Sequence, residues 1–154
     1  MNNTVKILDV AKYIVCKFNN EMGNLSITQL KLQKLLYFIE AYYMAKYDKD
    51  KLYEENFLAW TYGPVCKKVY DRYKIFMDSQ IVEDCNISSV DFGDEINKSI
   101  EYVFEHFGRL SATNLIMLTH LKSSPWDETN KDGKSVIKKE KTKEWFKMVF
   151  LKNE

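Results

Sequence analysis

The sequence predicts a mainly α-helical chain, a compact multi-helix single domain over residues 1–154 built around one central apolar helix. Three observations predict this class. Glycine and proline are scarce, with 5 and 2 copies, which disfavours sheet folds with many turns. Apolar residues recur along several segments at three- and four-residue steps, which is the helical period. A length of 154 residues is typical of one domain.

The first helix is predicted over residues 4–22, where apolar and charged residues separate onto different faces. Gly23 and Asn24 are predicted to end it, and Ser26 or Thr28 to cap the next helix. The inward residues of this first helix are expected to be Ile7, Ala11, Ile14, Val15, Phe18 and Met22.

The second helix, at about residues 28–47, is apolar on nearly every side. From residue 35 to residue 47 only Glu40 and Lys46 carry a charge, which is typical of a central helix packed on several sides. Gln33 and Lys34, near its start, are the exceptions. We therefore expect a polar partner for these two side chains, or an opening beside them.

A small β element is predicted after the second helix. It has at most two or three short strands, near residues 57–62 and 80–82, where apolar and β-branched residues cluster. Proline is favoured in the first turn of a helix, so a third helix is predicted from Pro64 to about Met77. Its inward residues are expected to be Val65, Val69, Tyr73 and Phe76.

The remaining helices follow the same periodicity. They are predicted from about Asp94 to Phe107, over 112–121 with Ser111 as the cap, at Ser124-Pro125-Trp126 as a short helix or turn, and over about 139–151. In the last helix the inward residues are expected to be Trp145, Phe146, Val149 and Phe150.

The three cysteines, Cys16, Cys66 and Cys85, are odd in number and widely spaced. This pattern indicates neither a disulfide framework nor a metal or redox motif, so we expect three reduced thiols. The N-terminus lacks the features of a signal peptide, and no apolar run is long enough to span a membrane. These observations favour a cytoplasmic location.

The sequence contains few residue arrangements that are typical of an enzyme active site. Cys66 or Cys16 could act as a nucleophile with His106 or His120 as its base and a carboxylate as the third group. Of the two thiols Cys66 is favoured, because it follows Gly-Pro-Val at a predicted helix start, where the helix dipole lowers a thiol pKa. No protease signature, metal-ligand spacing or phosphate-binding loop is present, so we expect no enzyme, cofactor or metal. His120, near Trp126, is expected to be a hydrogen-bonded structural residue. A Cys-His hydrolase stays open as the least favoured alternative.

Nucleic-acid binding has one candidate surface, over residues 62–74. There Lys67, Lys68, Arg72 and Lys74 alternate with Tyr62, Tyr70 and Tyr73, a mixture that can contact phosphates and bases. The whole chain has 23 basic and 22 acidic residues, which argues against binding by bulk charge. A small regulator using this face is therefore the alternative function, and a solvated helix face is the simpler interpretation.

Charge is segregated along the chain. Residues 81–107 contain seven acidic residues and a single basic one, Lys98, whereas residues 108–154 contain more basic than acidic residues. Such segments are often solvated faces, and they can also steer a protein partner.

Three short motifs remain, and they are neither catalytic nor basic. The first is K-L-Q-K-L-L-Y at 31–37, the second is A-W-x-Y-G-P-V at 59–65 followed by Tyr70, and the third joins L-T-H at 118–120 to P-W at 125–126. Over about residues 5–150 this pattern resembles the Panacea domain, the family that contains SocA-like antitoxins. The order and spacing of the first two motifs make the resemblance specific.

The resemblance implies a mostly helical domain without established enzymatic activity that neutralises the toxin of a toxin–antitoxin pair. Members also occur in phages, and many carry an additional DNA-binding segment. The expected partner is then a protein, here a toxin encoded nearby. Gly63 and Pro64 are expected to shape the turn. The expected contact residues combine polar and aromatic side chains from the motifs and the helix after them: Gln33, Lys34, Trp60, Tyr62, Lys67, Tyr70, His120 and Trp126.

Overall fold

Helices dominate the fold. The computed structural model describes residues 4–22, 27–85 and 90–152. The helices in these ranges are α1 (Ile7–Glu21), α2 (Gln29–Tyr47), α3 (Lys67–Tyr73), α4 (Asp94–Phe107), α5 (Ala112–Thr119), α6 (Pro125–Glu128) and α7 (Lys139–Phe150). A 3₁₀ turn, Lys74–Phe76, follows α3, and the strands are β1 (Phe57–Trp60), β2 (Gly63–Val65) and β3 (Val136–Ile137). The mainly helical class is confirmed.

Helix α2 lies at the centre, as its composition predicts. Every residue from 31 to 45 is buried, and the helix packs against α1, α4, α5 and α7. The Phe38 ring stacks on Phe107, with centroids 4.8 Å apart, and also contacts Phe146 and Phe150. Removing so much apolar area from water is the main force that orders these helices. No helix in the described ranges is long and apolar enough to cross a membrane.

Buried polar groups connect α2 to the chain around it. The Glu40 carboxylate accepts hydrogen bonds from the backbone N–H groups of Leu52 and Tyr53, both at 3.0 Å. It also accepts from Lys139 Nζ at 2.8 Å, which brings the start of α7 against α2. A buried carboxylate with this many donors is compensated for the water that it loses.

The third helix starts later than the sequence predicts. Residues 63–65 form β2, which pairs antiparallel with β1, so α3 begins at Lys67 and ends at Tyr73 before the 3₁₀ turn. Proline fits this edge strand because it lacks the N–H that a central strand would need. Val65 is buried on the strand, Val69 and Tyr73 are buried on α3, and Phe76 is half-buried.

The third strand also differs from the prediction. The segment 80–82 is not a strand; Ile81 is buried there and its N–H donates to Ile27 O at 2.9 Å. The third strand is β3, which pairs with β1 through Phe57 and Leu58, giving the order β2-β1-β3. Two residues are too few to show the alternating pattern by which a strand is recognised from sequence.

The prediction of three reduced thiols is wrong for two of the cysteines. Cys16 on α1 and Cys85, which follows the 3₁₀ turn by nine residues, form a disulfide with their Cα atoms 5.5 Å apart. The two cysteines are separated by 69 residues in sequence, and their proximity exists only in the folded chain. Cys66 is free and buried.

The predicted capping residues Thr28 and Ser111 are confirmed, and Ser124, at the start of the predicted short helix or turn, also acts as a cap. The side chains of Thr28, Ser111 and Ser124 accept hydrogen bonds from the first turns of α2, α5 and α6. The predicted stop at Gly23-Asn24 and the alternative cap Ser26 lie outside the described residues. Val149 is exposed on α7, so its predicted inward position is wrong, whereas Trp145 and Phe146 are buried.

Candidate functional site

The second motif forms a tight hairpin. Trp60 pairs with Gly63 across a two-residue turn made by Thr61 and Tyr62. Gly63 has φ +105°, a conformation that side chains with a Cβ rarely adopt. Tyr62, at the tip, is 60% exposed, so the hairpin presents an aromatic ring to solvent.

Side chains of the first motif hold the second strand of this hairpin. Gln33 Nε2 donates to Cys66 O at 3.1 Å, and Cys66 N–H donates to Gln33 Oε1 at 2.9 Å. Lys34 Nζ donates to Pro64 O at 3.3 Å. A glutamine amide that both gives and receives in this way substitutes for a neighbouring strand. The polar partners expected for Gln33 and Lys34 are thus confirmed, and they are backbone groups of the hairpin.

Lys34 is fully buried, and burial lowers the pKa of its amine to about 7. Its chain also lies directly beneath the turn. A Cβ placed on Gly63 would come 2.5 Å from Lys34 Cε and 2.9 Å from Thr119 Oγ1. The first and third motifs therefore converge on a position that has room for glycine alone.

The third motif binds the hairpin at its first strand. Trp126 Nε1 donates to Trp60 O at 2.7 Å. The His120 ring stacks on Trp126 with centroids 3.5 Å apart, and Lys131 Nζ lies 4.3 Å from the same indole. We call Gln33, Lys34, Thr119, His120 and Trp126 the clamp, because together they hold the backbone of the hairpin.

Among the residues that the structure describes, the His120 ring is held by stacking on Trp126 and by no side-chain hydrogen bond, which corrects the expectation from the sequence. Its Nε2 is buried and has no partner within the described residues. Burial, and then the positive charge of Lys34, lower the pKa of the imidazole. The neutral ring is therefore favoured, which suits a face packed on an indole.

Beside the hairpin lies a groove of about 950 Å³. Apolar and aromatic residues make up half of the lining residues, and most of the lining surface is apolar. The lining comes from several separate parts of the chain: Thr28, Gln29, Leu30, Gln33, Ala59, Trp60, Thr61, Tyr62, Val65, Tyr70, Met77, Asp78, Ala112, Lys131, Asp132 and Gly133. The Trp60 and Tyr70 rings meet edge to face with centroids 5.1 Å apart. Trp60 Nε1 is buried without an acceptor in the described part of the chain.

The sequence-predicted contact residues fall into three places. Gln33, Trp60, Tyr62 and Tyr70 line the groove. Lys34, His120 and Trp126 belong to the clamp, as Gln33 also does. Lys67 lies on the exposed surface of α3 and pairs with Asp71 at 3.3 Å. The motifs thus bring seven of the eight residues around one hairpin.

Several groove residues gave no signal in the sequence. Leu30 lies near the start of α2, whereas Met77 and Asp78 follow the 3₁₀ turn, and none of the three belongs to a motif. Met77 is nonetheless 79% exposed in the structure.

The basic residues of α3 and the turn after it are paired with acids. Lys67 and Lys74 lie near Asp71, Lys68 pairs with Glu55, and Arg72 pairs with Glu83. Tyr73 is buried and donates its hydroxyl to Glu83 at 2.7 Å, so it is not available for stacking on a base. This face therefore carries little unpaired positive charge.

The candidate nucleophile lacks the environment of a reactive thiol. Cys66 is buried, and burial raises the pKa of its thiol. His106 lies on the exposed side of α4 with Nδ1 2.9 Å from Tyr102 O. A thiolate requires a lowered pKa, so this arrangement does not favour nucleophilic catalysis.

Comparison with known proteins shows two similarities. Residues 32–127 match the family model described as antitoxin SocA-like, Panacea domain. The chain is also 33% identical over 115 residues to a protein named Antitoxin SocA from Caulobacter vibrioides (strain NA1000 / CB15N). That alignment covers 68% of this chain and 60% of the relative, so the chain spans less than two thirds of the relative's length. No solved structure matches the chain.

Proposed function

The chain belongs to the family of SocA-like antitoxins with a Panacea domain, and from this premise we propose that it binds a toxin protein and neutralises it. The observation that carries the proposal is the groove beside the motif hairpin, which is aromatic and apolar and has exposed Tyr62 at its edge. Aromatic residues at an exposed apolar surface are typical anchors of protein interfaces.

The proposal divides the predicted contact residues into two roles. Trp60, Tyr62, Tyr70 and Lys67 contact the toxin directly. Gln33, Lys34, His120 and Trp126 act through the hairpin, which they hold in place by the hydrogen bonds and stacking described above. Neutralisation follows either because the bound toxin is masked or because the complex delivers it to a protease.

As part of this proposal, the chain is not an enzyme and needs no cofactor. This part is supported by the raised thiol pKa of Cys66 and by the absence, within the described residues, of a cluster of acids, histidines and cysteines fit to hold a metal ion. Labelling with iodoacetamide at pH 7 tests this point. An unreactive Cys66 supports it, and rapid selective labelling of Cys66 contradicts it.

Nucleic-acid binding is the alternative function, and the paired charges of α3 do not favour it. An electrophoretic shift at low salt with random duplex DNA provides the test. Binding that weakens in a Lys67→Ala, Lys68→Ala variant would revive this alternative.

The central test is co-expression with the product of the adjacent gene. We expect that product alone to stop growth, and this chain to restore growth and to co-purify with it. Tyr62→Ser should lose the rescue, whereas Ile75→Ser, a matched control that is 80% exposed outside the groove lining, should keep it. An adjacent product that is neither toxic nor bound contradicts the proposal.

The abundance of the toxin distinguishes the two modes of neutralisation. If the toxin is masked, its steady-state level stays constant on co-expression. If it is delivered to proteolysis, its level falls, and the fall disappears in a strain that lacks the protease.

A cytoplasmic location is also part of the proposal, and the Cys16–Cys85 bond bears on it. Disulfides are rare in a reducing cytosol. If the chain works there, alkylation of acid-quenched cells should trap both thiols as free. Quantitative recovery of the disulfide would instead indicate an oxidising compartment.

A further inference from the structure

The groove has an apolar part that a small ligand would leave exposed. Tyr62, Met77 and Leu30 are 60%, 79% and 36% exposed, and all three line it. Small-molecule pockets enclose most of their ligand within about 300–1,000 Å³. Here large apolar side chains are accessible at the groove's own edge, which is the arrangement of a surface that a protein segment covers.

The charged groups in the groove lining are not equally available. Lys131 Nζ donates to Asp127 O at 2.9 Å and to Thr129 O, and it also lies over the Trp126 ring. Asp132 accepts hydrogen bonds from the Lys134 and Ser135 backbone N–H groups and from the Ser135 hydroxyl, which hold the pKa of its carboxyl low. Both charges are occupied by the loop that contains them.

Asp78 is different. It lies next to Met77, is exposed, and has no hydrogen bond or ion pair with any residue in the described ranges. The two helices that begin at the groove, α2 and α5, are capped by Thr28 and Ser111, which accept from Lys31 N and Asn114 N. Within the described part of the groove lining, the Asp78 carboxylate is therefore free to pair with an incoming cation.

We propose that the groove takes an apolar segment of the partner protein that carries a lysine or arginine positioned against Asp78. This inference rests on the proposed function, since it assumes that the partner is a protein. The apolar side chains of the segment cover Tyr62 and Met77 and supply most of the affinity. The cation selects the orientation and the partner, because an exposed ion pair contributes little affinity but penalises a like charge.

Selection of a random peptide library displayed on phage tests the inference without knowledge of the toxin. The immobilised wild-type chain should enrich peptides with two or more large apolar residues and a lysine or arginine at a fixed spacing. The Asp78→Lys variant should enrich the same apolar spacing with aspartate or glutamate in place of the cation. Enrichment of the same charge on both proteins, or no enrichment, overturns the proposal.

Affinities of one enriched peptide then locate the site. Tyr62→Ser with Met77→Ser should weaken binding by more than about tenfold, and Asp78→Asn by about two- to fivefold. Ile75→Ser, outside the groove lining, should bind as the wild type does. Equal binding by the Tyr62→Ser, Met77→Ser variant places the peptide elsewhere and overturns the proposal. A wild-type dimer that the Tyr62→Ser, Met77→Ser variant does not form shows that a second copy occupies the groove, which overturns the assignment to a partner segment.

Failure of this inference is distinguishable from failure of the proposed function. If Asp78→Lys neutralises and co-purifies with the toxic neighbour as well as the wild type does, the charge preference is wrong and the antitoxin role stands. If the neighbour is neither toxic nor bound while the peptide preference follows Asp78, the role is wrong and the groove specificity stands.

Discussion

The clamp and the groove meet at one hairpin and share Gln33, yet the side chains that characterise each of them differ in exposure. In the clamp, Gln33 and Lys34 are buried and bonded to backbone groups of the hairpin. In the groove, Tyr62, Met77 and Asp78 are exposed, and Asp78 is unpaired among the described residues. Much of the three motifs thus specifies the position of the hairpin, and the proposed binding surface extends to residues outside the motifs.

This difference separates two kinds of mutational effect. Clamp substitutions should lower the free energy of unfolding, because they leave buried groups without partners or create overlaps. Groove substitutions should leave that free energy nearly unchanged and should weaken binding. The predictions below test this separation, beginning with the largest change in stability.

The disulfide is expected to have the largest effect. It joins α1 to the segment that continues from Met77 and Asp78, and it closes a loop with a sequence separation of 69 residues. Cys16→Ser with Cys85→Ser should lower the free energy of unfolding by about 4 kcal/mol, since the cross-link restricts the unfolded chain. Dithiothreitol should lower the melting temperature of the wild type and not that of the double variant. Equal melting curves with and without reductant would contradict the bond.

Gly63→Ala is expected to destabilise the fold by about 3 kcal/mol, through backbone strain and overlap with the clamp. The new methyl group would lie 2.5 Å from Lys34 Cε. Gly133→Ala is the matched control, because Gly133 also has a positive φ but has nothing within 4 Å of its Cβ position. Gly133→Ala should lower the free energy of unfolding by about 1 kcal/mol. Similar costs at the two positions in urea titrations would show that the clamp does not press on the turn.

Gln33→Leu should lower the free energy of unfolding by about 2 kcal/mol, because it leaves the buried N–H of Cys66 without an acceptor. It also removes one of two hydrogen bonds to Cys66 C=O, which still accepts from Tyr70 N–H. Gln80→Leu is the control, since Gln80 is exposed and its hydrogen bond to Asn19 is long, at 3.4 Å. The control should lie within about 0.5 kcal/mol of the wild type. If both variants unfold at the same urea concentration, the glutamine does not hold the strand.

Lys34 predicts a dependence on pH. Burial lowers the pKa of its amine from 10.5 to about 7, so between these values the unfolded chain binds more protons than the folded chain. Stability should therefore rise with pH over 7–9, by at most about 1.4 kcal/mol per unit from this group. Lys34→Met should remove that rise. Parallel stability curves for the two proteins would show that the amine stays protonated in the fold.

The sequence predicts the helical framework well where one periodic pattern covers a whole element. Ile96, Ile100 and Val103 are buried on α4 as their spacing indicates, and the apolar run of α2 lies at the centre. The helix predicted from Pro64 is wrong at its start, because a proline fits an edge strand as well as a first helical turn. Only the pairing of residue 63 with residue 60 decides between them.

The groove and the disulfide could not be predicted from the sequence, and the reason is physical. Each joins segments that are distant in the chain, and a local pattern does not record which segments become neighbours. The second motif, at residues 59–65, indicated the segment that forms the hairpin, and with it Trp60, Tyr62 and Tyr70. The motifs did not reveal that the Gln33 and Lys34 side chains donate to backbone carbonyls of Cys66 and Pro64. They also did not indicate that Met77 and Asp78 line the groove.

Tyr62→Ser tests the central claim most directly when stability and partner binding are measured on the same preparation. The exposed ring should contribute less than about 0.5 kcal/mol to the free energy of unfolding, and its loss should weaken binding of the adjacent gene product by more than about tenfold. Gln33→Leu, measured in parallel, should show a clear loss of stability. A Tyr62→Ser protein that binds as tightly as the wild type, or that is destabilised as much as Gln33→Leu, would contradict the division between clamp and groove.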